Sequence, residues 1–114
     1  MWRAMEPLTS PLRVDSRADG ADAVVVTVAG EIDMTNGDRL ERGLLAALGS
    51  GAGTVAVDLG EVSFLDSTAI NTLIRAHHQA AADGRRLVVT RVRPFVRHVL
   101  EITGVLDLLS VPPE

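Results

Sequence analysis

The sequence contains no cysteine, no lysine and no tyrosine. Without cysteine the chain can form no disulfide bond and supply no thiolate, and nothing in its composition points to secretion. Aromatic residues make up only 3% of the 114 residues, whereas 46% are hydrophobic. We therefore expect a single core built from valine, leucine, isoleucine and alanine.

The net charge of −4 is unfavourable for nucleic-acid binding. A nucleic-acid module needs a basic stripe or aromatic side chains on which bases stack. No apolar run approaches the roughly 20 residues that span a bilayer, and residues 1–11 lack the apolar segment of a signal peptide. The sequence predicts a cytoplasmic protein without membrane insertion and without direct contact to nucleic acid.

A chain of this length suits one domain. Residues 1–11 contain two prolines and no periodic pattern, so we predict a flexible N-terminal tail there and one domain over residues 12–111. Two strands joined by a turn at Ala18-Asp19-Gly20 predict an N-terminal β-hairpin. Helical and strand segments then alternate, which indicates an α/β fold with a mixed sheet.

The element boundaries follow from hydrophobic periodicity and from glycine, proline and capping residues. The first helix should begin after Thr35 or Asn36, either of which can cap it. The sequence does not indicate whether the apolar segment 106–111 is a helix, a strand or a loop. The predicted strands cover 12–17, 23–31, 55–59 and 87–90, and the three predicted helices end at Gly49, Gly84 and Gly104.

The step Leu65-Asp66-Ser67-Thr68 places two hydroxyl groups where a strand gives way to a helix. Backbone amides in a first helical turn lack intrahelical partners, and the helix dipole favours negative charge there. Ser67 can therefore cap the helix or carry a phosphate group. The local sequence favours capping, because serine, threonine and aspartate are common capping residues.

Nucleophilic catalysis by Ser67 would require a base within hydrogen-bonding reach. His77 and His78 lie about 15 Å further along the same helix at a rise of about 1.5 Å per residue. His98 lies on another predicted helix and could be the base, but no G-x-S-x-G turn surrounds the serine. We predict a protein without a catalytic residue, and therefore not an enzyme.

Metal binding has equally weak support. Two histidines on one helix face should be four residues apart, whereas His77 and His78 are adjacent. Asp33, Asp58 and Asp66 form either an acidic cluster at the strand ends or three separate caps of turns and helices, and the sequence leaves both interpretations open. We predict no metal site and no cofactor.

Three motifs resemble those of one known family, and they occur in the same order. They are Gly30-Glu31-Ile32-Asp33, the stretch 57–68 with its Asp66-Ser67-Thr68 step, and the end region formed by 86–89 and 94–104. Together they make residues 12–111 similar to a STAS domain, the family that includes the bacterial anti-sigma factor antagonists. The resemblance implies a single STAS-type α/β domain.

The resemblance also implies a function. An unphosphorylated antagonist of this family binds an anti-sigma factor with serine kinase activity and so frees a sigma factor, which regulates transcription. The kinase phosphorylates a serine at the start of the helix, binding is lost, and a serine phosphatase restores the active form. By position in the motif, Ser67 is the expected phosphoacceptor, with Thr68 the less favoured one, and the expected partner surface is Asp33, Asp66, Ser67, Thr68 and Ala69.

One alternative accompanies this interpretation. A STAS domain can instead be a scaffold or accessory subunit of a signalling or membrane transport complex without the phosphorylation switch.

The chain also departs from the family motif at Ala69, where a glycine is usual. Alanine suits a helix better by roughly 1 kcal/mol, but its methyl group would interfere if the backbone needed a positive φ or a close approach by the kinase.

Overall fold

The computed structural model describes residues 12–111, so the predicted tail at residues 1–11 lies outside the described part of the chain. Within residues 12–111, seven helices and strands follow one another in the predicted order. They are β1 (Arg13–Ala18), β2 (Ala23–Ile32), α1 (Gly37–Gly49), β3 (Thr54–Leu65), α2 (Ser67–Ala82), β4 (Arg86–Val92) and α3 (Pro94–Ile102).

The four strands form one sheet in the order β1-β2-β3-β4. β1 runs antiparallel to β2, and β2, β3 and β4 are parallel to one another. The hairpin and the mixed α/β sheet are therefore confirmed. Parallel neighbours need crossover connections, and α1 and α2 provide them.

The core lies against one face of the sheet. Side chains of a strand alternate between faces, and in β3 the alternate residues Val55, Val57 and Leu59 are all buried while their neighbours are half-buried. The buried hydrophobic residues are valine, leucine, isoleucine and alanine, as the composition predicts. Within residues 12–111, no helix is long and apolar enough to cross a membrane.

β3 is longer than the sequence predicts. It continues beyond Leu59 to Leu65, because the second half of β2 pairs with residues 61–65 after shifts in register. The first shift lies between Asp58 and Glu61 and includes Gly60, whose missing side chain leaves room for Arg91. The second shift lies between Val62 and Phe64. A Cβ atom at Gly60 would come within 2.9 Å of the Arg91 guanidinium. The extension carries the chain directly to the start of α2.

The unassigned segment 106–111 forms turns that cover the free edge of β4. The backbone amide of Val89 donates to the carbonyl oxygen of Leu109 over 3.0 Å, and the Leu109 side chain is fully buried. An edge strand otherwise presents unpaired backbone groups, so this contact protects part of the sheet edge.

Candidate functional site

Asp66, and not Ser67, caps α2. One carboxylate oxygen of Asp66 accepts hydrogen bonds from the backbone amides of Thr68 (2.9 Å) and Ala69 (3.3 Å). The Ser67 side chain is exposed, and its hydroxyl makes no hydrogen bond to any residue that the structure describes. The alternative in which Ser67 serves as the cap is therefore wrong, and its hydroxyl is accessible.

The loop between β2 and α1 is held by side-chain hydrogen bonds. Asp33 accepts from the backbone amide of Thr35 over 2.9 Å and from the Thr35 hydroxyl. Asn36 accepts from the Asp33 amide and donates to the carbonyl of Glu31, each over 2.9 Å. Asn36 stands at the N-cap position of α1 but makes no capping bond there. The predicted N-cap position is therefore confirmed at Asn36, although its side chain closes the preceding turn and does not bond to the amides of α1.

Asp33 is ionised at neutral pH. The hydrogen bond from the Thr35 hydroxyl, together with those from backbone amides of the loop, lowers the pKa of the Asp33 carboxyl below its ordinary value of 3.8. Hydrogen bonds to a carboxylate favour its charged form. A fixed negative charge therefore stands in the loop that precedes α1.

The Asp33 loop and the start of α2 lie side by side. They follow the carboxyl ends of the neighbouring parallel strands β2 and β3, and the Asp66 amide donates to the Ile32 carbonyl over 3.2 Å. Gly37 packs against Thr68 so closely that a Cβ atom on Gly37 would lie 2.7 Å from the Thr68 methyl. In open α/β sheets, binding surfaces form at the carboxyl ends of strands.

Ala69 is buried, unlike the other predicted site residues. Its side chain is 0% exposed and belongs to the core, and its φ is not positive. The extra methyl group relative to glycine therefore points into the protein, and the backbone needs no glycine at this position. Of the five predicted surface residues, only Asp33, Asp66, Ser67 and Thr68 present side chains that are not fully buried.

The three aspartates do not assemble a metal site. Asp33 closes its own turn and Asp66 caps α2, as described above. Asp58 accepts from the Gly60 amide over 2.9 Å and from Arg91 over 3.0 Å. Among residues 12–111, no group of three histidine or acidic side chains could hold a metal ion. Each aspartate therefore makes its own structural hydrogen bonds.

Sequence reasoning missed exposed apolar residues near Ser67. Met34 in the Asp33 loop is 80% exposed, and Phe64 and Phe95 are 40% and 50% exposed. The rings of Phe64 and Phe95 stack, with their centroids 6.1 Å apart and their planes at 18° to each other. The exposure of Phe64 could have been predicted from the sequence. Successive strand residues face opposite sides of the sheet, and the neighbouring Leu65 is apolar and so expected in the core.

Comparison with known proteins identifies the family of this domain. The family model described as "Mlab, STAS domain" matches residues 13–110. The chain is similar to the anti-sigma-B factor antagonist of Staphylococcus epidermidis, with 29% identity over 79% of this chain and 83% of that protein. It is 24% identical to the anti-sigma-B factor antagonist of Listeria monocytogenes, over 88% of each chain.

Solved structures share the fold. An anti-sigma factor antagonist from Mycobacterium paratuberculosis matches with a TM-score of 0.82 at 24% identity, over 94% of this chain and 92% of that chain. The murine anion transporter Slc26a9 matches with a TM-score of 0.72 at 20% identity, over 85% of this chain but 17% of the transporter. At these identities the likeness concerns the fold alone, and a fold does not imply a function.

Proposed function

Since this chain belongs to the STAS domain family, we propose that it is an anti-sigma factor antagonist whose binding to an anti-sigma factor ends when Ser67 is phosphorylated. It acts as a regulator of sigma-factor-dependent transcription and not as an enzyme. The names of its curated relatives support this role.

The accessible Ser67 hydroxyl is the observation that carries the proposal. A kinase must bring ATP to an exposed hydroxyl that is free of other bonds, and Ser67 meets both conditions among the described residues. Thr68 is less suited, because it is half-buried and its methyl group packs against Gly37. Ser67 is therefore the proposed phosphoacceptor.

The switch acts through charge. A phosphate adds roughly −1.5 to −2 charges at neutral pH. The amides of Thr68 and Ala69 are already bound to Asp66, so a phosphate on Ser67 would stand beside an occupied cap. Beside Asp66 and Asp33, the phosphate would add charge repulsion at the interface and raise the desolvation cost of any contact.

The proposed partners follow from this mechanism. An anti-sigma factor with serine kinase activity binds the surface formed by Asp33, Asp66, Ser67 and Thr68, and a serine phosphatase restores the unmodified form. Ala69 supports this surface from inside the core. The protein acts in the cytoplasm, without a cofactor, without inserting into a membrane and without contacting nucleic acid itself.

A second candidate is a scaffold or accessory subunit of a signalling or membrane transport complex. A segment of the Slc26a9 transporter has the same fold, but a shared fold does not by itself indicate this role. In that role the partner would not respond to the charge of residue 67. A gene for a small ATP-binding kinase beside this one would favour the antagonist, whereas a transporter gene would favour the accessory subunit.

The test is phosphorylation by each anti-sigma factor kinase of the source organism with ATP, followed by peptide mass spectrometry. We expect one phosphate, on Ser67, and none on the Ser67→Ala variant. Ser67→Glu should weaken binding to the same kinase at least tenfold, whereas Ser67→Ala should bind like the wild type. Equal binding by the Ser67→Glu variant, or phosphate on neither Ser67 nor Thr68, would contradict the proposal.

A further inference from the structure

We propose that the stacked side chains of Phe64 and Phe95, here called the aromatic patch, anchor the protein in an apolar recess of the anti-sigma factor that phosphorylates Ser67. This inference rests on the proposed function and adds a contact that does not depend on phosphorylation. The chain contains only two phenylalanines. Both are exposed, and they contact each other.

The exposure of the aromatic patch needs an explanation. The core of residues 12–111 is filled by aliphatic side chains alone, although large aromatic side chains are well suited to burial. A phenylalanine buries about 150–250 Å² when fully covered. At 40% and 50% exposure, the two rings leave on the order of 180 Å² of apolar surface in water. Aromatic residues, phenylalanine included, are enriched in protein interfaces relative to the rest of the protein surface.

The aromatic patch is held in place before any partner binds. Phe95 lies in the first turn of α3, which begins at Pro94, and proline at that position fixes the backbone for a helix. Arg93 Nε donates to the Gly60 carbonyl over 3.1 Å and so joins the start of α3 to β3. A preorganised anchor loses less conformational entropy on binding.

The size and position of the aromatic patch indicate which molecule covers it. A stable interface buries roughly 800 Å² on each partner, several times the area of the patch, so a protein that covers the patch must also cover the surface around it. Phe64 precedes Ser67 by three residues, which places their Cα atoms within about 11 Å of each other. One partner of ordinary interface size therefore covers both Ser67 and the aromatic patch.

Affinity measurements with alanine variants test the inference. The probe is the purified anti-sigma factor kinase that binds the unphosphorylated wild-type chain. We expect Phe64→Ala and Phe95→Ala each to raise Kd at least tenfold and to raise KM for phosphorylation of Ser67 with little change in kcat. The matched control is Leu45→Ala, because Leu45 is 41% exposed on α1 and belongs to neither surface; its Kd should stay within twofold of wild type.

The outcomes separate this inference from the proposed function. If the wild type binds and Ser67→Glu does not, but both phenylalanine variants bind like the wild type, the aromatic patch is not an anchor and the inference is wrong. If no kinase binds the wild type, the proposed function fails and the inference fails with it. Since Phe95→Ala could disturb α3, thermal unfolding must first give wild-type cooperativity, and Phe95→Ser and Phe64→Ser provide a second pair with the same expected loss of affinity.

Discussion

At the scale of single residues, the site depends on a division of roles between Asp66 and Ser67. Both side chains could cap α2, and serine and aspartate are about equally good caps. The Asp66 carboxylate binds two amides of the first turn, so the Ser67 hydroxyl is not needed for the structure. A residue that contributes little to stability can be modified without unfolding the domain.

This division can be measured by urea unfolding. Asp66→Ala should lower the free energy of unfolding by about 1 kcal/mol, within the 0.5–2 kcal/mol typical of a lost N-cap. Ser67→Ala is the matched control and should leave the unfolding midpoint close to that of the wild type, because the hydroxyl has no hydrogen bond among the described residues. Equal midpoints for the two variants would contradict the assignment of Asp66 as the cap.

At the scale of elements, the irregular middle of β3 positions the site. The register between β3 and β4 shifts after Val57, where Asp58 pairs with Arg91 across the two strands. Burial acts to raise the pKa of Asp58, but the hydrogen bonds from Arg91 and Gly60 and the positive charges of Arg91 and Arg17 lower it below its ordinary value of 3.8. This ion pair therefore links β3 to β4 at the point where their register shifts.

The ion pair predicts a pH dependence of stability. A carboxyl group whose pKa is lowered on folding stabilises the folded state above its unfolded pKa, and this contribution disappears as the pH falls through the folded pKa. Asp58→Asn should cost up to about 1 kcal/mol at neutral pH, since the Arg91 side chain is 62% exposed and screened by solvent. Below pH 3.8 the difference between variant and wild type should shrink.

Urea unfolding at several pH values between neutrality and acid measures this difference. Arg91→Gln should remove most of the same pH-dependent contribution, because it deletes the other charge of the pair. A difference between Asp58→Asn and wild type that stays constant throughout the acid range would show that the charge of Asp58 has no part in stabilising the fold.

At the scale of the whole molecule, one aliphatic core joins the helices to the sheet. Consecutive leucines on α1 illustrate its boundary, since Leu44 is fully buried and Leu45 is 41% exposed. Leu44→Ala should cost about 2–5 kcal/mol, the range for a leucine deleted from a packed core. Leu45→Ala should cost clearly less, and both values can be obtained from chemical unfolding of the two variants. Similar losses for both would contradict a core confined to one helix face.

Much of the fold was predictable because its signals are local. The hairpin, the three helices and the parallel strands follow from periodicity and from turn residues, and each is confirmed. The strand extension beyond Leu59 was not predictable, since it depends on how β2 and β3 shift register around Gly60 and again around Ser63. The segment 106–111 likewise takes its shape from packing against β4.

The sequence by itself determined the aliphatic core, the order of elements and the Asp66-Ser67-Thr68 step at a helix start. Hydrophobic spacing and motif order are properties of the chain, so no coordinates were needed for them. Only the tertiary structure decided which residue of the step caps α2, that the Ala69 methyl points inward, and that Phe64 meets Phe95. The Asp66 cap is itself a local contact, but it forms where the Ile32 carbonyl of β2 binds the Asp66 amide. The other two outcomes depend on contacts between segments far apart in the chain, so tertiary packing selects among choices that local chemistry leaves equal.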